Sequence, residues 1–160
     1  MPDIELKGII DEDFVNYKKV SMVLMFPCCT FKCGNEFCQN SSLVNEPDIN
    51  IEITKLCERY LSNDISEAIV LQGMEPFDSY MDVLNFINTL RYQYKCNDDI
   101  AIYTGYTKEE CLENGFIQPL KDTKNIIIKF GRYIPNQDPH YDEVLGVNLA
   151  SDNQYAERIC

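Results

Sequence analysis

The residues best suited to chemistry are four cysteines crowded into one stretch: Cys28, Cys29, Cys33 and Cys38. The chain has eight cysteines, and the other four, Cys57, Cys96, Cys111 and Cys160, are scattered singly. In a reducing compartment thiols do not pair as disulfides, so a tight group of them points to metal. Three thiolates in one loop could hold zinc or an iron–sulfur cluster. A closed zinc site wants four ligands, usually as two separated pairs. Here there is no second pair, and the single histidine, His140, is far away. A [4Fe–4S] cluster also takes four thiolates in electron carriers; with three, one iron stays open to a substrate or cofactor. Cys28 and Cys29 are adjacent, and neighbouring side chains in an extended loop point apart. One of the two is expected to ligate and the other to stand by.

The elements that must position this loop follow from periodicity. Residues 20–26 read as a strand stopped by Pro27, so the cysteines follow a strand's carboxyl end. Ile53, Leu56, Cys57, Tyr60 and Leu61 fall on one apolar helix face, where Cys57 reads as a small buried hydrophobe. Residues 68–71 form a continuous apolar run, a strand buried on both faces that ends in the loop 72–76. Tyr80, Val83, Leu84, Ile87 and Leu90 give a second helix, capped by Asp78 or Ser79. Residues 100–103 form a third strand, closed by Thr104-Gly105. Thr107 to Glu110 has capping-box spacing and Asn114-Gly115 supplies a stop, so a short helix lies between. Residues 125–130 form a fourth strand, and the chain from Gly131 onward reads as irregular. Strands alternating with helices predict a parallel α/β arrangement. Ligands in such sheets bind outside the strands' carboxyl ends. The cysteine loop, residues 72–76 and residues 104–106 would all face that one edge.

Composition bounds the rest. One hundred and sixty residues make a single domain, 1–160, too short for a complete eight-fold β/α barrel of about 250 residues. Fourteen basic against 26 acidic residues leave a net charge of −12, which would repel a phosphate backbone and excludes nucleic acid as a direct partner. The longest apolar run, at 20–26, is far short of a membrane span. Asp3 and Glu5 precede any apolar stretch, unlike a signal peptide. The expectation is a cytoplasmic protein with no membrane partner.

The loop from Cys29 through Thr30, Cys33, Gly34 and Phe37 to Cys38 resembles the signature loop of radical S-adenosylmethionine enzymes, C-x3-C-x-aromatic-C. Cys29 and Cys33 fit the first interval, and Phe37 stands where the aromatic belongs; the second interval holds four residues where the family has two. Gly73-Met74-Glu75-Pro76 resembles the G-G-E-P segment that receives the amino group of S-adenosylmethionine, with Met74 in place of the second glycine. More narrowly, the chain is similar to the small activating proteins of anaerobic ribonucleotide reductases. Asp13-Phe14-Val15-Asn16, Cys38-x-Asn40, Tyr103-Thr104-Gly105-Tyr106, Gly131-Arg132 and Asn153-Gln154 carry that likeness. The chain departs from them at Tyr17-Lys18-Lys19, where glycine and proline are usual, and at Lys129-Phe130, where an aspartate is common.

The resemblance implies a partial, open (β/α) barrel of the small radical S-adenosylmethionine type. It implies a [4Fe–4S] cluster on Cys29, Cys33 and Cys38, and S-adenosylmethionine bound near Phe37, Gly73, Met74, Glu75, Pro76 and Thr104. It implies reductive cleavage of that cofactor to methionine and a 5′-deoxyadenosyl radical, which takes a hydrogen from a glycine of the large subunit of anaerobic ribonucleoside-triphosphate reductase. An electron donor such as flavodoxin or ferredoxin is implied as well. Two further readings stand beside it: a radical S-adenosylmethionine enzyme acting on another peptide or small molecule, and a non-catalytic iron–sulfur or zinc module. Taken alone, Glu75 reads as a solvated loop charge, Tyr103 as core, Lys129 as a solvated strand-end lysine and His140 as a surface-loop residue.

Overall fold

Short runs of isoleucine, valine and leucine with no polar break form strands that must be covered on both faces, and they set the architecture. The computed structural model describes residues 2–28 and 47–160. Its elements are β1 (Asp3–Leu6), β2 (Gly8–Asp13), β3 (Ser21–Phe26), β4 (Ile49–Glu52), α1 (Ile53–Leu61) and β5 (Ala68–Gly73). A 3-10 turn (Pro76–Ser79) leads into α2 (Tyr80–Asn88), which ends in a π turn (Thr89–Gln93). Then come β6 (Ile100–Tyr103), α3 (Lys108–Glu113), α4 (Ile117–Lys121), β7 (Ile126–Phe130), β8 (His140–Asp142), β9 (Val147–Leu149) and β10 (Tyr155–Arg158).

The main sheet has six strands in the order β10-β7-β6-β5-β3-β2. Its four central strands, β3, β5, β6 and β7, are parallel and sit in chain order, so each crossover moves one place along the sheet. The two outer strands, β2 and β10, pair antiparallel. The fold is mixed α/β with a core made mostly of sheet. Alternation along the strands sorts side chains to two faces. Met22, Leu24, Ile69, Leu71, Ile100, Ile102, Ile126 and Ile128 face the helices, where Leu56, Cys57, Tyr60, Val83, Phe86, Ile87, Cys111 and Leu120 cover them. Val23, Val70, Ala101 and Ile127 face the other way, and Tyr17, Leu145, Leu149 and Ala156 fill the space against them. That second face is therefore plugged over its middle. One row nearer the carboxyl ends, Met25 stands opposite Gln72 and Tyr103 opposite Lys129.

The four central strands, the two amphipathic helices and the capping box of α3 lie where the sequence places them. In that box Glu110 N donates to Thr107 Oγ1 at 3.1 Å, and Thr107 N donates to Glu110 Oε1 at 2.9 Å. Four expectations are corrected. The chain after Gly131 is not irregular but carries β8, β9 and β10, whose short alternating segments hold polar residues that mask their pattern. Leu61 ends its helix 42% exposed rather than on the buried face. Ser79 occupies the cap position of α2 without a side-chain bond; Glu75, at the head of the preceding turn, accepts from Phe77 N instead. His140 lies in a strand, half-buried, its Nε2 at 2.7 Å from the Gln154 carbonyl oxygen. Among the described residues no helix is long and apolar enough to cross a membrane.

Candidate functional site

The carboxyl ends of the four parallel strands are stitched together one after another. Met74 N donates to Phe26 O at 3.0 Å, tying the loop after β5 to the end of β3, from which the cysteine segment departs. Gly73 is glycine for a steric reason: its φ is +97°, and a Cβ there would lie 2.4 Å from Phe26 N. Thr104 N donates to Lys129 O at 2.9 Å and Gly131 N to Tyr106 O at 3.0 Å, joining the loops after β6 and β7. The predicted convergence of residues 72–76 and 104–106 on one edge is therefore physical contact.

Glu75 is the centre of that contact. Its Oε1 accepts from Gly105 N at 2.7 Å, and its Oε2 accepts from Thr104 Oγ1 at 2.8 Å and Phe77 N at 3.0 Å. The side chain is 1% exposed, so it is no solvated loop charge. Behind it Phe77, Tyr80, Tyr106 and Phe116 pack as an aromatic wall, with Phe77 and Phe116 stacked at 4.9 Å. Burial pushes the Glu75 carboxyl up to about 7; the three hydrogen bonds pull the other way without cancelling it.

Lys129 corrects the sequence reading most sharply. It is not solvated but 7% exposed, its Nζ donating to Gly131 O at 2.8 Å and to Thr104 O at 3.1 Å. Burial drives its ammonium down to about 8, opposed by the negative charge of Glu75. Nζ also lies 5.7 Å from the centre of the Tyr103 ring. Tyr103 is half-buried, and its hydroxyl donates to Asn16 O, which fastens the 13–16 turn to this side of the sheet. In that turn Asp13 Oδ2 accepts from Asn16 N at 2.8 Å and from Asn16 Nδ2 at 3.0 Å. Gln154, which sequence reasoning left without a role, donates from Nε2 to Gly131 O at 3.2 Å and accepts from Ala150 N and Ser151 N. The signal for Lys129 was present: a lone charge inside the run Ile126-Ile127-Ile128-Lys129-Phe130 of a central strand has no route to water.

Of the predicted site residues, Gly73, Met74, Glu75, Pro76 and Thr104 stand together at this edge. Cys29, Cys33, Phe37 and Cys38 lie outside the described residues. Residues 16–151 match the model of the 4Fe–4S single cluster domain. The chain belongs to that family. The cofactor of this single-cluster domain is a [4Fe–4S] cluster, and no curated protein matches the chain.

The single-cluster domain needs thiolates, and the scattered cysteines are poor ones. Burial raises the Cys57 and Cys111 thiols to about 12, and burial also raises Cys96, so all three are held as thiols at neutral pH. Cys160 directs its Sγ to Leu120 O at 3.5 Å. The crowded donors at 28–38 have the chemistry that a cluster requires, and in sequence they follow β3, whose carboxyl end lies at the edge where Gly73–Pro76 and Thr104 gather.

Proposed function

We propose that this single-cluster protein is a radical S-adenosylmethionine enzyme that generates a glycyl radical on anaerobic ribonucleoside-triphosphate reductase. The observation that carries the reading is the bond from Met74 N to Phe26 O, which seats Gly73-Met74-Glu75-Pro76 directly against the strand that leads into the cysteines. The segment that carries the cysteines thus starts, after β3, from the same edge that holds the segment suited to an amino acid. In this reading Cys29, Cys33 and Cys38 hold the cluster, and the open sheet is the partial barrel of the small radical S-adenosylmethionine type.

When bound, the cluster supplies the electron that reductive cleavage of S-adenosylmethionine consumes, received from a donor such as flavodoxin or ferredoxin. The protein's own residues do the rest. In this reading backbone groups of Gly73 and Met74 would receive the cofactor's methionine end, Phe37 would be the residue for its adenine, and Thr104 would support the same wall from behind. Tyr17, Leu145 and Leu149 plug the sheet's face below, which keeps water out from that side. Among the described residues the sheet has β2 and β10 at its edges and does not close into a full barrel, which suits entry of a loop from a partner protein.

A net charge of −12 favours a basic patch on that partner, with docking that weakens as salt rises. The test is electron paramagnetic resonance on the reconstituted chain mixed with its cognate reductase, reductant and S-adenosylmethionine. A glycyl doublet that fades with added salt is the expected outcome. Formation of deoxyadenosine with no doublet on a competent reductase would move the substrate to another peptide or small molecule.

A further inference from the structure

Glu75 has almost no surface to offer a ligand, being 1% exposed, and both of its oxygens are already engaged by Gly105, Thr104 and Phe77. Lys129 is buried too, and among the described residues its ammonium makes no ion pair, only bonds to two carbonyl oxygens. Burying two charges without direct pairing is costly, and such an arrangement persists only where surrounding bonds over-determine it. Here they do, through one residue. Thr104 gives its hydroxyl proton to Glu75 Oε2 and its N–H to Lys129 O, and its carbonyl accepts from Lys129 Nζ. The hydroxyl also accepts from Tyr106 N at 3.1 Å, so every polar atom of Thr104 is fixed.

We infer that Glu75, Thr104 and Lys129 are one positioning unit, in which two buried charges of opposite sign hold the loops after β5, β6 and β7 as a single preformed wall of the binding site. Glu75 fixes the span from Met74 to Gly105, and Lys129 fixes the span from Thr104 to Gly131. None of the three needs to touch the ligand. What the wall binds rests on the S-adenosylmethionine reading; the unit itself rests on the bonds.

The charges also write a signature on stability. A carboxyl whose folded value lies above its unfolded one binds more protons when folded, so stability falls as pH rises between about 4.5 and about 7. An ammonium lowered to about 8 does the reverse, and stability rises between about 8 and about 10.5. Among the described residues, the titratable groups facing Glu75 are Asp78 on its own turn, the neutral Cys111 thiol on α3 and Lys129 on β7; Lys129 faces Glu75 and the Tyr103 ring.

The experiment compares Glu75→Gln, Lys129→Met, the double variant, Thr104→Val and Thr104→Ser, all as full chains with the cluster reconstituted. Denaturant unfolding across pH is expected to lose the acid limb in Glu75→Gln and the alkaline limb in Lys129→Met. The double variant is expected to be less destabilised than the two singles combined. S-adenosylmethionine titration is expected to show KM raised about tenfold in each single variant and in Thr104→Val, with a smaller fall in kcat, and rescue in Thr104→Ser. Additive singles with unchanged pH limbs would overturn the unit whether or not the chain binds S-adenosylmethionine. A wild-type chain that binds none, with the pH limbs and the coupling intact, would overturn the proposed function and leave the unit standing.

Discussion

Two carboxylates at opposite ends of the same sheet are treated in opposite ways. Asp99 stands just before β6, at the amino end of the parallel strands, where Tyr17 Oη donates to it at 2.8 Å and Lys19 Nζ and Arg158 Nη2 approach to 3.2 and 3.3 Å. Burial raises it, but those bonds and charges outweigh burial and hold it below the ordinary carboxylate range. Glu75, at the carboxyl end, has three neutral donors and, among the described residues, no paired cation, and burial wins. One end of the sheet has relaxed its charge; the other keeps charge at a cost. Ends that keep such groups are where binding and chemistry concentrate, because a group already held needs no rearrangement when a ligand arrives.

The largest effect expected from breaking this contrast is at Gly73. Gly73→Ala would force a Cβ to 2.4 Å from Phe26 N at a φ of +97°, and the cost should be at least about 2 kcal/mol together with loss of S-adenosylmethionine binding. Chemical denaturation and ligand titration read both. Asp99→Asn should cost roughly 2 kcal/mol, since it strips the anion from two half-exposed cations, yet leave iron content and S-adenosylmethionine affinity unchanged. Its sign with pH is opposite to that of Glu75. A depressed carboxylate stabilises above its unfolded value and loses that contribution as pH falls through the folded one. The wild-type chain should therefore lose stability below about pH 4, and Asp99→Asn should lose less. The smallest effect is Thr107→Ala at the capping box of α3. It should cost about 1 kcal/mol by thermal or denaturant unfolding and move neither iron nor ligand.

The parallel core was legible because Ile126-Ile127-Ile128 and Ala68-Ile69-Val70-Leu71 are short, apolar and rich in β-branched residues, as covered strands are, and the helices between them show one apolar face. The site edge was legible through topology: loops after parallel strands share an edge whatever their sequence. The outer elements were not. β10 reads Tyr-Ala-Glu-Arg, a strand only because Phe130 and Ile128 offer it partners. Glu75 and Lys129 were legible as residues but not as buried ones. Glu75 is covered where Phe77, Tyr106 and Phe116 come together, and Lys129 lies beside Tyr103 under the loops after β6 and β7, neighbours that meet only in the folded chain. The likeness to the reductase activators gave Gly131-Arg132 and Asn153-Gln154 as motif residues; the fold gives them a structural reason, since Asn153 Nδ2 donates to Arg132 O at 2.8 Å and Gln154 to Gly131 O.

The most direct test of the account is whether the reduced chain cleaves S-adenosylmethionine. The protein is reconstituted anaerobically with iron and sulfide, reduced, and incubated with the cofactor while 5′-deoxyadenosine is measured. The account predicts that deoxyadenosine forms, that Cys33→Ala abolishes both iron and product, and that Cys28→Ala retains them. A fully loaded, reduced cluster that yields no deoxyadenosine would contradict it.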